Sequence, residues 1–239
     1  MDGPRSDNNG DHLLVKECED VFLQFCELVR PHHFEVKLQV NNLGCMRGMQ
    51  TAITWFFTRV SSGLIVEDDV LVHPNSISAT EDLLERFKND TNVGSISLFA
   101  KKSFPPARTL IWTKRHWPHI WGWATWSDRW RQYEYEVEVF SAKHDYLRLV
   151  RKLGVKKFRI AQSILRRHSE AKNTWDTQWL YTHLKNGWRV LSPSRTLTTN
   201  IGFDDRATHI GPAPSWVRSL DNYNLKQKIF ASGKLINIS

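Results

Sequence analysis

Gly63-Leu-Ile-Val-Glu-Asp-Asp-Val-Leu-Val-His-Pro74 is the stretch on which the reading of this 239-residue chain turns. Leu64-Ile65-Val66 is a short apolar run opened by a glycine, the pattern of a strand buried on both faces. It breaks off into Glu67-Asp68-Asp69, three adjacent acids that repel one another unless a cation holds them. In an open parallel sheet, ligands bind beyond the carboxyl ends of the strands, which is where this triplet falls. A hard divalent cation, Mn²⁺ or Mg²⁺, is the natural counterion, since such ions take carboxylate oxygens and bridge to substrate phosphates. The alternative is a solvated turn with a helix-capping acid.

On the N-terminal side, Val15, Cys18, Phe22, Phe25, Cys26 and Val29 recur at helical spacing among charged residues, predicting an amphipathic helix over 13–30 stopped by Pro31. Phe34, Val36, Leu38 and Val40 alternate with Glu35, Lys37 and Gln39, predicting a strand with one wet face. A second amphipathic helix follows over 46–59. On the C-terminal side, a helix over 76–88 leads to a strand near 93–99, so strand and helix alternate as in a parallel α/β sheet. Residues 100–126 read as a long basic and aromatic loop, residues 127–153 and 157–170 as helix-rich and basic, 175–186 as a helix and 188–191 as a strand. The tail after Pro212 reads as irregular.

Composition bounds the function. Hydrophobic residues make up 41% and charged ones 24%, with a mean hydropathy of −0.46, so a disordered or fibrous chain is excluded. No stretch approaches the ~18 consecutive apolar residues of a membrane span, and Met1 to Asp11 do not resemble a signal peptide. Cys18, Cys26 and Cys45 have no paired spacing, which fits a reducing cytoplasm. Thirty-three basic residues against 25 acidic ones leave a net charge of +8, pointing to a polyanionic partner. The chain carries no nucleic-acid-binding signature, and an unmetallated acid triplet would repel phosphates, so nucleic acid is not the expected partner. Arg148, Arg151, Lys152, Lys156, Lys157, Arg159, Arg166 and Arg167 suggest either a solvated helical face or peripheral contact with an anionic membrane. Of the eleven tryptophans, those between Trp112 and Trp130 read equally as core or as the wall of a sugar site.

The acid triplet resembles the metal-binding strand end of GT-A glycosyltransferases, in the Glu-Asp-Asp form of the N-acetylglucosaminyltransferase I family and its bacterial relatives. Further motifs in order carry the resemblance along nearly the whole chain: Asp2-Gly3-Pro4-Arg5, Asn42-Leu43-Gly44, Trp121-Gly-Trp-Ala-Thr-Trp126, Trp175-Asp-Thr-Gln-Trp179, Arg195-Thr196, Asn200-Ile-Gly-Phe203 and Ala207-Thr-His209. The resemblance implies a single GT-A, Rossmann-like domain over 1–239. Its mostly parallel sheet would be flanked by helices, with a nucleotide-binding half at 1–99 and a sugar- and acceptor-binding half at 100–239.

By the same resemblance, Asp69 is the direct metal ligand, with Glu67 and Asp68 near the ribose or metal-bound water, and His209 reaches the metal or diphosphate. Asp2 lies by the nucleotide base, with Asn42 and Arg47 beside the nucleotide. Trp123 and Trp126 wall the sugar and acceptor pocket, and Asp176 is the catalytic base, although as a lone residue it reads equally as a helix N-cap. The implied activity is metal-dependent transfer from a nucleotide sugar, a UDP-sugar above all, to a glycan or lipid-linked hydroxyl, with inversion, in polysaccharide or glycan biosynthesis. A catalytically silent nucleotide-sugar or glycan-binding protein is the alternative. The family's fold begins with a strand and helix before the Asp-Gly element, whereas here Met1 directly precedes Asp2. Roughly thirty residues, about a βαβ unit, are therefore expected to be missing, or a partner chain to cover the gap.

Overall fold

A computed structural model describes residues 1–29, 33–100, 110–135, 147, 149–151, 153–171, 174–203 and 236–237. In chain order these form α1 (Asp11–Val29), α2 (Gly44–Phe57), β1 (Ser62–Ile65), β2 (Val70–Val72), α3 (Asn75–Phe87), β3 (Val93–Ser97), β4 (Ile111–Arg115), β5 (Trp123–Trp126) and α4 (Ser127–Trp130). They continue with α5 (Val155–Ala171), α6 (Asp176–Asn186), β6 (Arg189–Pro193), β7 (Thr198–Asn200) and the two-residue β8 (Ile236–Asn237). The chain is an α/β protein.

The main sheet has the order β1-β5-β3-β6-β4-β8. It is mixed, which corrects the expectation of a mostly parallel sheet. β1, β3 and β6 share one direction, while β5 lies antiparallel between β1 and β3, and β4 lies antiparallel to β6. The two reversed strands come from the segment read as a long loop. β5 is reached from β4 through residues 116–122, which hold no helix, so nothing obliges it to run parallel to its neighbours. A separate ribbon pairs β2 with β7, Val70 opposite Asn200.

Successive residues of β5 point to opposite faces, and two cores follow. Ala124 and Trp126 join Leu83, Leu84 and Phe87 of α3 with Ile96, Trp112 and Leu191. Trp123, on the other face, joins Ile53 of α2, Ile65, Trp130, Tyr133, Trp175, Trp179 and Trp188. Trp123 stacks on Trp175 with ring centroids 5.6 Å apart, and Trp130 stacks on Tyr133 at 4.5 Å. Much of the unusual tryptophan content is therefore core. α5 lies outside α6, its Phe158 and Ala161 against Leu180, Tyr181 and Leu184. α6 ends at Gly187, whose φ of 67° permits the left-handed turn that closes the helix.

Other expectations change in detail. β1 lies at the sheet edge, so Val66 is exposed and the Leu64-Ile65-Val66 run is only half-buried. Residues 33–39 form no assigned strand. The basic tract keeps Arg151, Lys156, Arg159 and Arg166 exposed. Arg148 and Lys152, and the side chains of Lys157 and Arg167, lie outside what the structure describes, as do Lys101, Lys102, Pro31 and nearly all of the tail. No helix among the described residues is long and apolar enough to cross a membrane.

Candidate functional site

Because β1, β3 and β6 run the same way, their carboxyl ends share one edge of the sheet, and the acid triplet emerges there. The chain leaves β1 at Ile65 and turns through Asp68 and Asp69, the Val70 amide donating to Glu67 O at 3.1 Å. It then enters β2, whose pairing with β7 pins the turn. The amide of Ile201 donates to Asp69 O at 2.8 Å, and that of Gly202 to Asn200 Oδ1 at 2.8 Å. The Asp69 carboxylate lies directly against Gly202. Its Oδ1 is buried without a hydrogen-bond partner among the described residues.

Across from the triplet, α6 begins at Asp176, with Trp175 preceding it. No side chain caps this helix. The Asp176 carboxylate instead accepts a hydrogen bond from the Thr174 hydroxyl, so the helix-cap alternative is not realised. A buried relay fixes the start of α6: Gln50 Nε2 donates to Tyr133 Oη at 2.9 Å, and Tyr133 Oη donates to the Trp175 carbonyl at 3.0 Å. Burial pushes the Tyr133 phenol above its ordinary range, so it stays protonated and able to donate. Gln178 Nε2 contacts Met46 Sδ at 3.5 Å, tying the first turn of α6 to that of α2.

The electrostatics bind these pieces into one site. Glu67 is pushed up to about 7, first by burial and then by the charges of Asp69, Asp176 and Asp68, against a hydrogen bond from Trp175. Cys45, in the first turn of α2, is also raised by burial and by Glu67 and Asp176. The fold thus gathers Glu67, Asp68, Asp69 and Asp176, and sets the Trp123–Trp175 stack beside them. Sequence reasoning missed the Gln50–Tyr133 relay and gave no role to Cys45, or to Gly202, which it met only within the Asn200-Ile-Gly-Phe203 motif. Arg195 was noted within a motif but given no role. It follows β6 at the same sheet edge, and its Nε is buried without a partner among the described residues.

The structure places the other expected residues as follows. Trp126 is buried in the opposite core, its Nε1 donating to Leu84 O at 3.0 Å, so it walls no pocket at the acid site. Trp123 is itself only 1% exposed and supports the site from beneath. Asp2 caps α2: its carboxylate accepts from the amides of Gly3 at 3.0 Å, Leu43 at 2.8 Å and Gly44 at 3.1 Å. Asn42 closes the same turn, donating to Gly3 O at 2.9 Å and accepting from the Gly44 amide at 3.1 Å. Arg47 stands exposed on α2. His209 lies outside the described residues.

Among the described residues no group of three or more His, Cys, Asp or Glu side chains is placed to hold a metal ion. An all-oxygen, open cluster with an orphaned Asp69 Oδ1 fits instead a hard cation held by one or two carboxylates and completed by water or phosphate. No family model and no curated protein matches the chain.

Proposed function

We propose that this protein is a metal-dependent glycosyltransferase of the GT-A type, moving a sugar from a nucleoside-diphosphate donor, UDP-linked, to an acceptor hydroxyl with inversion. The observation that carries the reading is the convergence of Glu67, Asp68 and Asp69, at the carboxyl end of β1, with Asp176 at the start of α6. Asp69 and Glu67 would hold Mn²⁺ or Mg²⁺, which supplies charge neutralisation for the departing diphosphate.

The chain's own groups divide the remaining work. Asp176 takes the proton of the acceptor hydroxyl as it attacks the anomeric carbon. The Gln50–Tyr133 relay holds the Trp175 carbonyl and so sets where Asp176 stands. Arg195 contributes a cation at the diphosphate end. One carboxylate base and one donor site favour a single displacement from the face opposite the nucleotide. The exposed cations of α5 suit an acceptor held at an anionic surface.

A non-catalytic nucleotide-sugar or glycan-binding protein is the second reading. It is favoured by Asp2, whose carboxylate is already engaged by three backbone amides rather than free for a nucleotide base. Hydrolysis of UDP-sugars in the presence of Mn²⁺, wild type against Asp176→Asn, separates the two. Turnover that falls at least about a hundredfold in the variant while UDP binding persists supports catalysis. Binding without turnover in the wild type supports the second reading.

A further inference from the structure

Among the described residues, exposed apolar side chains are densest on α1 and residues 34–40. α1 exposes Leu13, Leu14, Val21, Phe22, Leu23, Phe25 and Leu28. Beside it, Phe34 is 49% exposed, Val36 42%, Leu38 46% and Val40 86%, and Phe22 meets Phe34 edge-on at 6.5 Å. Contiguous apolar surface of this kind marks an interaction site.

The backbone says what form the partner takes. The Met1 amine donates to Lys37 O at 2.8 Å, and the Gln39 amide donates to Met1 O at 3.1 Å. These two bonds are one rung of a parallel ladder, in which Lys37 and Gln39 turn their backbone polar groups toward Met1. In an extended chain Phe34, Val36 and Leu38 turn theirs the other way. Among the described residues none of those groups has a backbone partner. The segment is an open strand edge carrying apolar side chains, the surface that recruits another strand.

Its sequence is complementary to itself. Set antiparallel about a two-fold axis through Val36, Phe34 stands opposite Leu38 and Glu35 opposite Lys37, in both directions. Lys37 has no ion-pair partner among the described residues, while Glu35 is held by Arg59 and His33. A two-fold axis normal to the sheet also brings the two α1 helices to the same face. We infer that residues 34–38 pair with the same residues of a second copy of this chain, forming an isologous dimer through a continuous sheet. This inference is independent of the glycosyltransferase reading.

Sedimentation velocity on the full chain in a dilution series tests it, with circular dichroism to check the fold. The wild type is expected to sediment at twice its 28.0 kDa mass and to dissociate on dilution. Lys37→Glu or Glu35→Lys alone sets like charges opposite one another at two places and weakens association by about tenfold or more. An equimolar mixture of the two variants recovers the wild-type strength, because their charges complement each other. Val36→Cys, with Cys18 and Cys45 replaced by serine, is expected to oxidise to a disulfide-linked dimer, since Val36 lies on the axis opposite itself. A wild type that stays monomeric throughout overturns the inference. So does a dimer that is indifferent to both charge variants and fails to cross-link at position 36.

Discussion

The Asp69 carboxylate rests on the backbone of Gly202, so closely that a Cβ built there would lie 2.3 Å from Asp69 Oδ2 and 3.0 Å from Asp69 Cβ. The β2–β7 ribbon thereby sets the position of the acid at the centre of the site. Gly202→Ala is expected to turn Asp69 away from its position. The fold should persist, because Gly202 follows the last residue of β7 and Asp69 is only partly enclosed. Metal-dependent UDP binding should weaken at least about tenfold, while the melting temperature falls by only a few degrees, as about 1 kcal/mol of displacement strain would produce.

The crowded carboxylates make the metal-free site a source of instability. Glu67 is raised from 4.5 to about 7 by burial and by Asp69, Asp176 and Asp68. Between those two values the folded state holds a proton that the unfolded state has released. This group therefore lowers stability as pH rises from about 4.5 to about 7, with no further change above. Asp69→Asn removes the charge that acts most strongly on Glu67. In EDTA at pH 8 it should be more stable than the wild type by about 1 kcal/mol, and the difference should shrink toward pH 5. Thermal melts of the two proteins across that range check this.

His183 works in the opposite sense. It is fully buried between Ser95 Oγ, at 2.8 Å from Nε2, and the Trp179 carbonyl, at 3.0 Å from Nδ1. The carbonyl can only accept, so Nδ1 carries the proton and Nε2 accepts from Ser95. Burial holds the imidazole down to about 3 against an ordinary 6.5, so below pH 6.5 the unfolded chain takes up a proton that the folded one refuses. Stability contributed by the neutral ring is intact above 6.5 and declines by about 1.4 kcal/mol per unit as pH falls toward 3. His183→Gln should be less stable than the wild type at pH 8 yet lose less between pH 6.5 and 4. Equal slopes for the two proteins in urea titrations at those pH values would refute this assignment.

The helices were legible because apolar residues repeat every three or four positions regardless of their neighbours, and α1, α2, α3 and α6 all lie close to where that spacing puts them. Strands depend on a partner, and there the sequence spoke less plainly. Phe34 to Val40 alternates well, but among the described residues its backbone pairs only with Met1, so no ladder extends along it. Ile111-Trp112-Thr113 and Trp123-Ala-Thr-Trp126 are β-forming stretches embedded among prolines and cations, which hid β4 and β5 and with them the mixed character of the sheet. The acid triplet and Asp176 could be read because charge at the end of an apolar strand is costly unless used. Trp123 and Trp126 were paired by motif, although an odd separation within a strand sends two side chains to opposite faces. Gly202 stood within a motif but carried no local sign of its role, since that role comes from a neighbour more than a hundred residues away.

The central claim is that Asp69 anchors a divalent cation on which nucleotide binding depends. Calorimetric titration of UDP into the full chain, with Mn²⁺ and again with EDTA, on the wild type and on Asp69→Ala, tests it most directly. The account predicts binding with Mn²⁺ that disappears in EDTA and in the variant. Binding of equal strength in all four titrations, or in none of them, would contradict it.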